Sequence, residues 1–282
     1  MNNSEMMTSE QARTRGSEAI VPSFRVLGVR VDAVQIPDII EVVEKWVRER
    51  AATQYIAVTG MHGISVARED SRFREILGEA GLVIPDGMPL VWLGRLQGHR
   101  EVKRRTPGAE VMEAICRETG SKYSHFFYGG VPGVAELLAK SEHERYGIRI
   151  AGTYCPPFRP LTHEEEKQVL GMIRAAAPDI LWVGLSTPKQ EKWMYEYRDK
   201  IQVPVMLGVG AAFDMNTGRL KRAPQWMQEN GLEWLYRLGV EPRRLWRRYI
   251  LGGSSFVWAV CLEHLVPWIF KRPVAGSAQV PE

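Results

Sequence analysis

From Phe24 onward the chain alternates short β-branched runs with amphipathic segments of helical length, and this alternation constrains the fold more than any other feature. Residues 55–59, 82–85, 125–129, 148–154, 180–184 and 205–208 read as strands. Between them, residues 37–50 carry Ile39, Ile40, Val43 and Trp46 on one stripe, and 132–145, 162–176 and 188–201 each open on a proline or a capping threonine. Strands separated by helices pair in parallel through crossovers, and a parallel sheet must be covered on both faces. The pattern therefore predicts an α/β fold, a Rossmann-like, largely parallel sheet covered by helices.

After Asp214 no further strand is legible, and five of the nine tryptophans, Trp226, Trp234, Trp246, Trp258 and Trp268, fall in successive helical stretches. The expected organisation is a disordered lead-in over 1–22, an α/β domain over 23–222, a helical Arg- and Trp-rich appendage over 223–272 and a disordered tail over 273–282. The lead-in is polar, carries Glu5, Glu10 and Glu18, and lacks the apolar centre of a signal peptide. The net charge is only +4, but Arg237, Arg243, Arg244, Arg247 and Arg248 cluster near the C-terminus and point to an anionic partner. Residues 249–270 are apolar but interrupted by Gly252-Gly253-Ser254-Ser255 and followed by Glu263, His264 and Pro267, which suits lying on a membrane rather than crossing it. Cys116, Cys155 and Cys261 form no close pair and have no histidine at ligand spacing, which argues against a disulfide framework or a zinc site and fits a reducing compartment.

Ligands of open parallel sheets sit beyond the carboxyl ends of the strands, which directs attention to Thr59, Asp86, Gly129-Gly130, Gly184 and Gly208 to Gly210. Asp86, in Pro85-Asp86-Gly87, is either a general base at a strand end or a turn aspartate. The Thr59 hydroxyl suits a sugar or phosphate oxygen, or else a helix cap. Arg105, in the basic run Lys103 to Arg105 before a helix start, suits a phosphate if that loop faces the cleft, and is otherwise solvated. Lys189 and Gln190 fall in the first turn of a helix, where a cation opposes the helix dipole and so suggests a ligand role. Gly208-Val209-Gly210-Ala211-Ala212-Phe213 partly matches a dinucleotide-binding turn, with Phe213 in place of the third small residue.

These blocks occur in a definite order: Pro-Asp-Gly, Thr-Pro-Lys-Gln-Glu, Gly-Val-Gly-Ala-Ala-Phe-Asp, Gly-Leu-Glu-Trp-Leu-Tyr-Arg-Leu and Glu-Pro-Arg-Arg-Leu. With His125-Phe126-Phe127-Tyr128-Gly129-Gly130, they resemble the WecG/TagA/CpsF glycosyltransferase family from about Phe24 to about Ile250. The resemblance implies an inverting, metal-independent enzyme without a cofactor. Its donor is a UDP-sugar of the N-acetylmannosamine, N-acetylmannosaminuronic acid or glucuronic acid type, and its acceptor a polyprenyl-diphosphate-linked saccharide of cell-surface or exopolysaccharide assembly. It implies Asp86 as base, Thr59 as orienter of the acceptor, and Arg105 and Gln190 on the donor or its departing diphosphate, with Lys189, Gly184, Gly210, Phe213 and Asp214 completing the substrate site. Arg237, Arg244 and Arg247 would grip the lipid diphosphate as the appendage closes.

Two departures from the family pattern bear on the acceptor: Met61 stands where many members carry Asn, and Glu110 where Asp is usual. Pro85 to Trp92 and Cys155-Pro156-Pro157-Phe158 lean toward the exopolysaccharide branch. The implied partners are the two substrates and an anionic membrane surface, with no nucleic acid and a homo-oligomer as an option, and the implied place is the cytoplasm, peripheral at the inner membrane face. Competing readings are a nicotinamide-dependent oxidoreductase, from Gly208 to Phe213, and a non-catalytic membrane-binding module, from Arg237 to Arg248. The first lacks the parallel strand that should follow a dinucleotide turn, and the second leaves the polar strand ends without purpose.

Overall fold

The computed structural model describes residues 21–270, so most of the expected lead-in over 1–22 and all of the expected tail over 273–282 lie outside the described residues. Its centre is a six-stranded, wholly parallel sheet in the order β4-β3-β8-β7-β5-β6. The strands are β3 (Gln54–Thr59), β4 (Leu82–Pro85), β5 (Ser124–Gly129), β6 (Arg149–Tyr154), β7 (Ile180–Gly184) and β8 (Val205–Gly208). All six match the predicted runs to within a residue at each end.

Period-two alternation divides β3, β4, β5, β7 and β8 between two apolar layers. Tyr55, Ala57, Phe126, Tyr128, Leu181, Val183 and Met206 face one layer. Ile56, Val58, Phe127, Ile180, Trp182, Val205 and Leu207 face the other. Helix α1 (Ile36–Glu49) buries Ile39, Val43, Trp46 and Val47 and ends on Arg50 in the left-handed conformation. Helices α2 (Met61–Glu69), α3 (Ser71–Gly78), α4 (Met88–Leu96), α5 (Gly108–Thr119), α6 (Val134–Tyr146), α7 (His163–Ala176), α8 (Lys189–Ile201) and the short α9 (Ala212–Asn216) follow. The predicted cap of α7 is a capping box, in which Thr162 Oγ1 accepts from Glu165 N–H at 3.3 Å and Glu165 accepts from Thr162 N–H at 2.8 Å.

One element escaped the sequence pattern. β1 (Ser23–Val26) and β2 (Val29–Asp32) form an antiparallel hairpin in which Val26 pairs with Val29. The two-residue turn places Leu27 at φ 49° and Gly28 at φ 81°, a conformation usually signalled by Asn-Gly. Buried Asp32 ties the hairpin to the sheet by accepting from Val83 N–H at 2.7 Å.

Among the described residues no strand follows β8. Helices α10 (Gln225–Glu229), α11 (Glu233–Val240) and α12 (Pro242–Trp246) lead through a π turn (Arg247–Leu251) into α13 (Gly252–Phe270). The Gly252-Gly253-Ser254-Ser255 run, expected to interrupt the apolar stretch, instead starts α13, and Pro267 lies within that helix. Ser254 Oγ donates to Ile250 O at 2.7 Å, an i−4 bond that lets a polar residue sit inside helical backbone. The appendage shares the main core: Phe256 is buried in the same layer as Ile64 and Ala67 of α2. Glu263 accepts from the backbone N–H of Leu27 at 3.1 Å. Among the described residues no helix is long and apolar enough to cross a membrane.

Candidate active site

Because every strand of the main sheet runs the same way, the carboxyl ends of β4, β3, β8 and β7 form one edge, and α2, α4, α5 and α8 begin there. Two adjoining cavities open at this edge. The first, about 200 Å³, lies under the appendage and is lined by Asp86, Arg105, Gln190, Gly210, Glu233, Arg237 and Arg244 among others. The second, about 800 Å³, lies above β5 and β7 and is lined by Tyr128, Gly184, Lys189, Trp193, Asp214, Arg219 and Arg244 among others.

Asp86 follows the last residue of β4 and is exposed to the first cavity. Its N–H donates to Thr59 O at 2.8 Å, which holds the ends of β3 and β4 together. Thr106 donates twice to Pro85 O, from N–H at 2.7 Å and from Oγ1 at 3.0 Å, and so pins the Arg105 loop beside Asp86. The basic loop therefore faces the cleft. Thr59 is 1% exposed and its hydroxyl, beneath the cavity floor, has no hydrogen-bond partner. The cap reading of Thr59 fails, because Gly60 is the N-cap of α2 and no side chain caps that helix. Gly63 makes room for the hydroxyl, since a Cβ there would lie 2.7 Å from Oγ1.

Gln190 and Lys189 are neighbours with different surroundings. Gln190 is buried, accepts from Gly210 N–H at 2.9 Å and donates to Glu191 at 3.1 Å, so its amide shapes the turn between the two cavities. Lys189 is exposed at the second cavity, as is half-buried Asp214, whose carboxylate is 3.3 Å from Arg219 Nε. Gly210 adopts φ 54°, which favours glycine, and lines both cavities.

Two expected contacts move elsewhere. Phe213 lines neither cavity; it is 1% exposed and packs under Gly130 and Gly184, where a Cβ on Gly184 would come within 3.0 Å of its ring. Its bulk supports the glycine backbones, and its ring is out of a ligand's reach. Arg247 also lies outside both linings, with its guanidinium 5.3 Å above the Trp246 ring. Arg237 and Arg244 do line the first cavity, and Arg237 Nε is buried there without a hydrogen-bond partner.

Sequence reading assigned no site role to Glu233, to Gln228 or to the Tyr128–Trp193 pair. Glu233 Oε2 lies 2.6 Å from Arg105 Nη1, and Gln228 accepts from Arg105 Nη2. Glu110, one of the two departures, lies 3.6 Å from the same guanidinium. In the second cavity Tyr128 stacks on Trp193 with ring centres 4.5 Å apart, and on Tyr154 at 5.9 Å. Burial holds the Tyr128 phenol protonated, so this wall presents flat, neutral aromatic surface. A block containing Glu233 was visible in sequence, but its partner more than a hundred residues away was not.

The oxidoreductase reading loses its support here. Gly208 ends β8, and among the described residues no parallel strand follows it to carry a ribose-binding acid.

The profile of the family described as "Glycosyl transferase WecG/TagA/CpsF family" matches residues 24–268, spanning both the sheet and the appendage. The chain is 32% identical over 200 residues to an N-acetylglucosaminyldiphosphoundecaprenol N-acetyl-beta-D-mannosaminyltransferase of Bacillus spizizenii (strain ATCC 23059 / NRRL B-14472 / W23), covering 70% of this chain and 74% of that protein. It is also 32% identical over 186 residues to the enzyme of the same name from Bacillus subtilis (strain 168), covering 65% and 70% respectively. With the strand-end carboxylate, the cationic cavity and this match running through the appendage, the chain belongs to the WecG/TagA/CpsF family and is a glycosyltransferase.

Proposed function

We propose that the enzyme transfers an N-acetylmannosamine-type sugar from a UDP donor to a saccharide carried on a polyprenyl diphosphate, with inversion and without a metal ion. The observation that carries this reading is Asp86, a carboxylate at a strand end inside a cavity otherwise rich in arginine. The names of the relatives supply the substrate class, being transferases of N-acetylmannosamine to N-acetylglucosaminyl-diphosphoundecaprenol.

In this scheme the donor nucleotide occupies the larger cavity, its base against the Tyr128–Trp193 wall and its ribose near Asp214. Its diphosphate lies at the Gly210 turn, where the cavities join beside Arg244. The acceptor enters the smaller cavity under the appendage. Asp86 takes the proton as the acceptor hydroxyl attacks the anomeric carbon, and the bond from that carbon to the β-phosphate oxygen breaks to release UDP. One carboxylate suffices for such a direct displacement. Arginine neutralises the leaving diphosphate, a task that a divalent ion performs in other enzymes of this chemistry. Arg237 supports this role because it lines the cavity and its buried Nε is not engaged by any protein acceptor.

The membrane part of the proposal rests on the appendage surface. Leu251, Val257 and Trp258 are exposed on the π turn and α13, close to Arg244 and Arg247, so apolar and cationic groups share one segment. An enzyme seated this way would meet a lipid-linked acceptor at the inner face of the cytoplasmic membrane.

The test is acceptor-dependent UDP release from UDP-N-acetylmannosamine, its uronic acid and UDP-glucuronic acid, with a short-chain polyprenyl-diphosphate N-acetylglucosamine, in EDTA. Asp86→Asn should lower turnover by about 10²–10⁴-fold while leaving UDP binding intact. No release from any donor, or an Asp86→Asn enzyme as active as the parent, refutes the scheme. Activity abolished by EDTA and restored by a divalent ion refutes its metal-free part.

A further inference from the structure

Arg105 does not stand ready as a free cation. It belongs to a loop between α4 and α5, yet its side chain is only 12% exposed and meets acceptors from two directions. Glu110 approaches from the first turn of α5, whereas Gln228 and Glu233 come from α10 and α11 of the appendage. The Glu233 side chain is itself 21% exposed, so this ion pair is largely removed from water. Removing one partner of such a pair strands a charge, and an unheld arginine regains considerable rotamer freedom.

The appendage residues are themselves anchored. Gln228 Nε2 donates to Ala223 O at 2.6 Å, which turns its carbonyl oxygen toward Arg105. Glu233 opens α11, where the helix dipole favours a carboxylate. Between them Gly231, at φ 71°, seats the α10–α11 turn on α4, because a Cβ there would lie 2.8 Å from the Trp92 ring and 3.2 Å from Met88 Cβ. Helix α4 starts two residues after Asp86. The docking that brings Glu233 to Arg105 therefore also fixes the appendage against the helix that follows the base.

We propose that Glu233 is a positioning residue of the transferase: assisted by Gln228, it aims the Arg105 guanidinium at the reacting diphosphate only when the appendage is docked. The inference rests on the reading of Arg105 as a diphosphate contact. Glu233 lines the first cavity but acts through Arg105, to which its carboxylate is paired. It leaves Arg237, one helical turn further along α11, as the cavity-lining cation whose buried Nε has no hydrogen-bond partner.

The experiment uses the full chain and the UDP-release assay with UDP-N-acetylmannosamine and polyprenyl-diphosphate N-acetylglucosamine, comparing Glu233→Ala, Glu233→Gln, Arg105→Ala and the double variant Arg105→Ala/Glu233→Ala. Glu233→Ala should lower kcat at least tenfold with the donor KM changed less than threefold. Glu233→Gln, which keeps an acceptor oxygen, should recover most of that loss. The double variant should be no slower than Arg105→Ala alone, because the two groups act as one unit. A Glu233→Ala enzyme as fast as or faster than the parent overturns the proposal, and so do losses that multiply in the double variant. Amide exchange over the Arg105 loop and α11 provides a readout without turnover. It should rise in Glu233→Ala and Arg105→Ala and stay near the parent level in Glu233→Gln; unchanged exchange in all three overturns the proposal. A parent enzyme inactive on every substrate pair, with exchange rising as stated, would defeat the assigned reaction and the catalytic role of Glu233 together, leaving only the contact.

Discussion

His125 of β5 is buried beside the last turn of α5, accepting from Trp182 Nε1–H at 3.0 Å and lying 3.4 Å from Thr119 Oγ1. Burial lowers its pKa from 6.5 to about 4, so the folded state keeps the ring neutral. Its contribution to stability is complete above pH 6.5 and is lost as pH falls toward 4. Glu142 on α6 is also buried, and desolvation, reinforced by nearby Glu113, raises its carboxyl from 4.5 to about 7. Its contribution is complete below pH 4.5 and is lost as pH rises through 7. Between pH 4.5 and 6.5 the two slopes oppose each other. Glu142→Gln removes one of them. That variant should be roughly 1–3 kcal/mol more stable than the parent at pH 8 and should lose stability more steeply on acidification below 6.5. Urea unfolding midpoints at three pH values check both limbs, and a less stable variant at pH 8 would refute the assignment. Neither residue was legible as a titrating group in sequence. The run His125 to Gly129 was visible as a strand, but burial of its first residue depends on Trp182, in a strand more than fifty residues later.

At the scale of elements, the β5–β7 junction shows how closely strand ends must meet to make the cleft. Gly129 has φ 129°, and a Cβ there would lie 2.6 Å from Gly184 O, while Gly130 N–H donates to that same oxygen at 3.1 Å. Gly129→Ala should therefore destabilise the protein by about 2–4 kcal/mol, because rigid backbone would have to move. Gly133, four residues on, has φ 83° but open space around its missing Cβ. Gly133→Ala should cost only about 1 kcal/mol, the backbone term alone. Equal melting temperatures for the two variants would contradict this comparison. The six parallel strands were readable because their alternation is strong and their helices are capped by Thr162 and by prolines. The β1–β2 hairpin was not, because Leu27-Gly28 lacks the turn chemistry that marks a hairpin, and Leu27 is held left-handed by the β1–β2 pairing and by its N–H bond to distant Glu263.

Across the whole molecule, the appendage is joined to the α/β layer by buried carbon on one side and presents exposed carbon on the other. Phe256 and Ala259 of α13 are 3% and 5% exposed, whereas Val257 and Trp258 between them are 56% and 67% exposed. A full-length Val257→Glu/Trp258→Glu variant should cosediment with vesicles containing anionic lipid at least tenfold less than the parent, with stability changed by less than about 1 kcal/mol. Equal cosedimentation would place the membrane contact elsewhere. The order of strands and helices, the polar residues at the strand ends and the arginine-rich C-terminal region follow from local patterning, because propensity, capping and period-two alternation act over a few residues. The strand order, the burial of Thr59 and Phe213, and the meeting of Arg105 with Gln228 and Glu233 were decided only by tertiary structure. Each of these depends on surfaces brought together from distant parts of the chain, and no local spacing encodes which of them will meet.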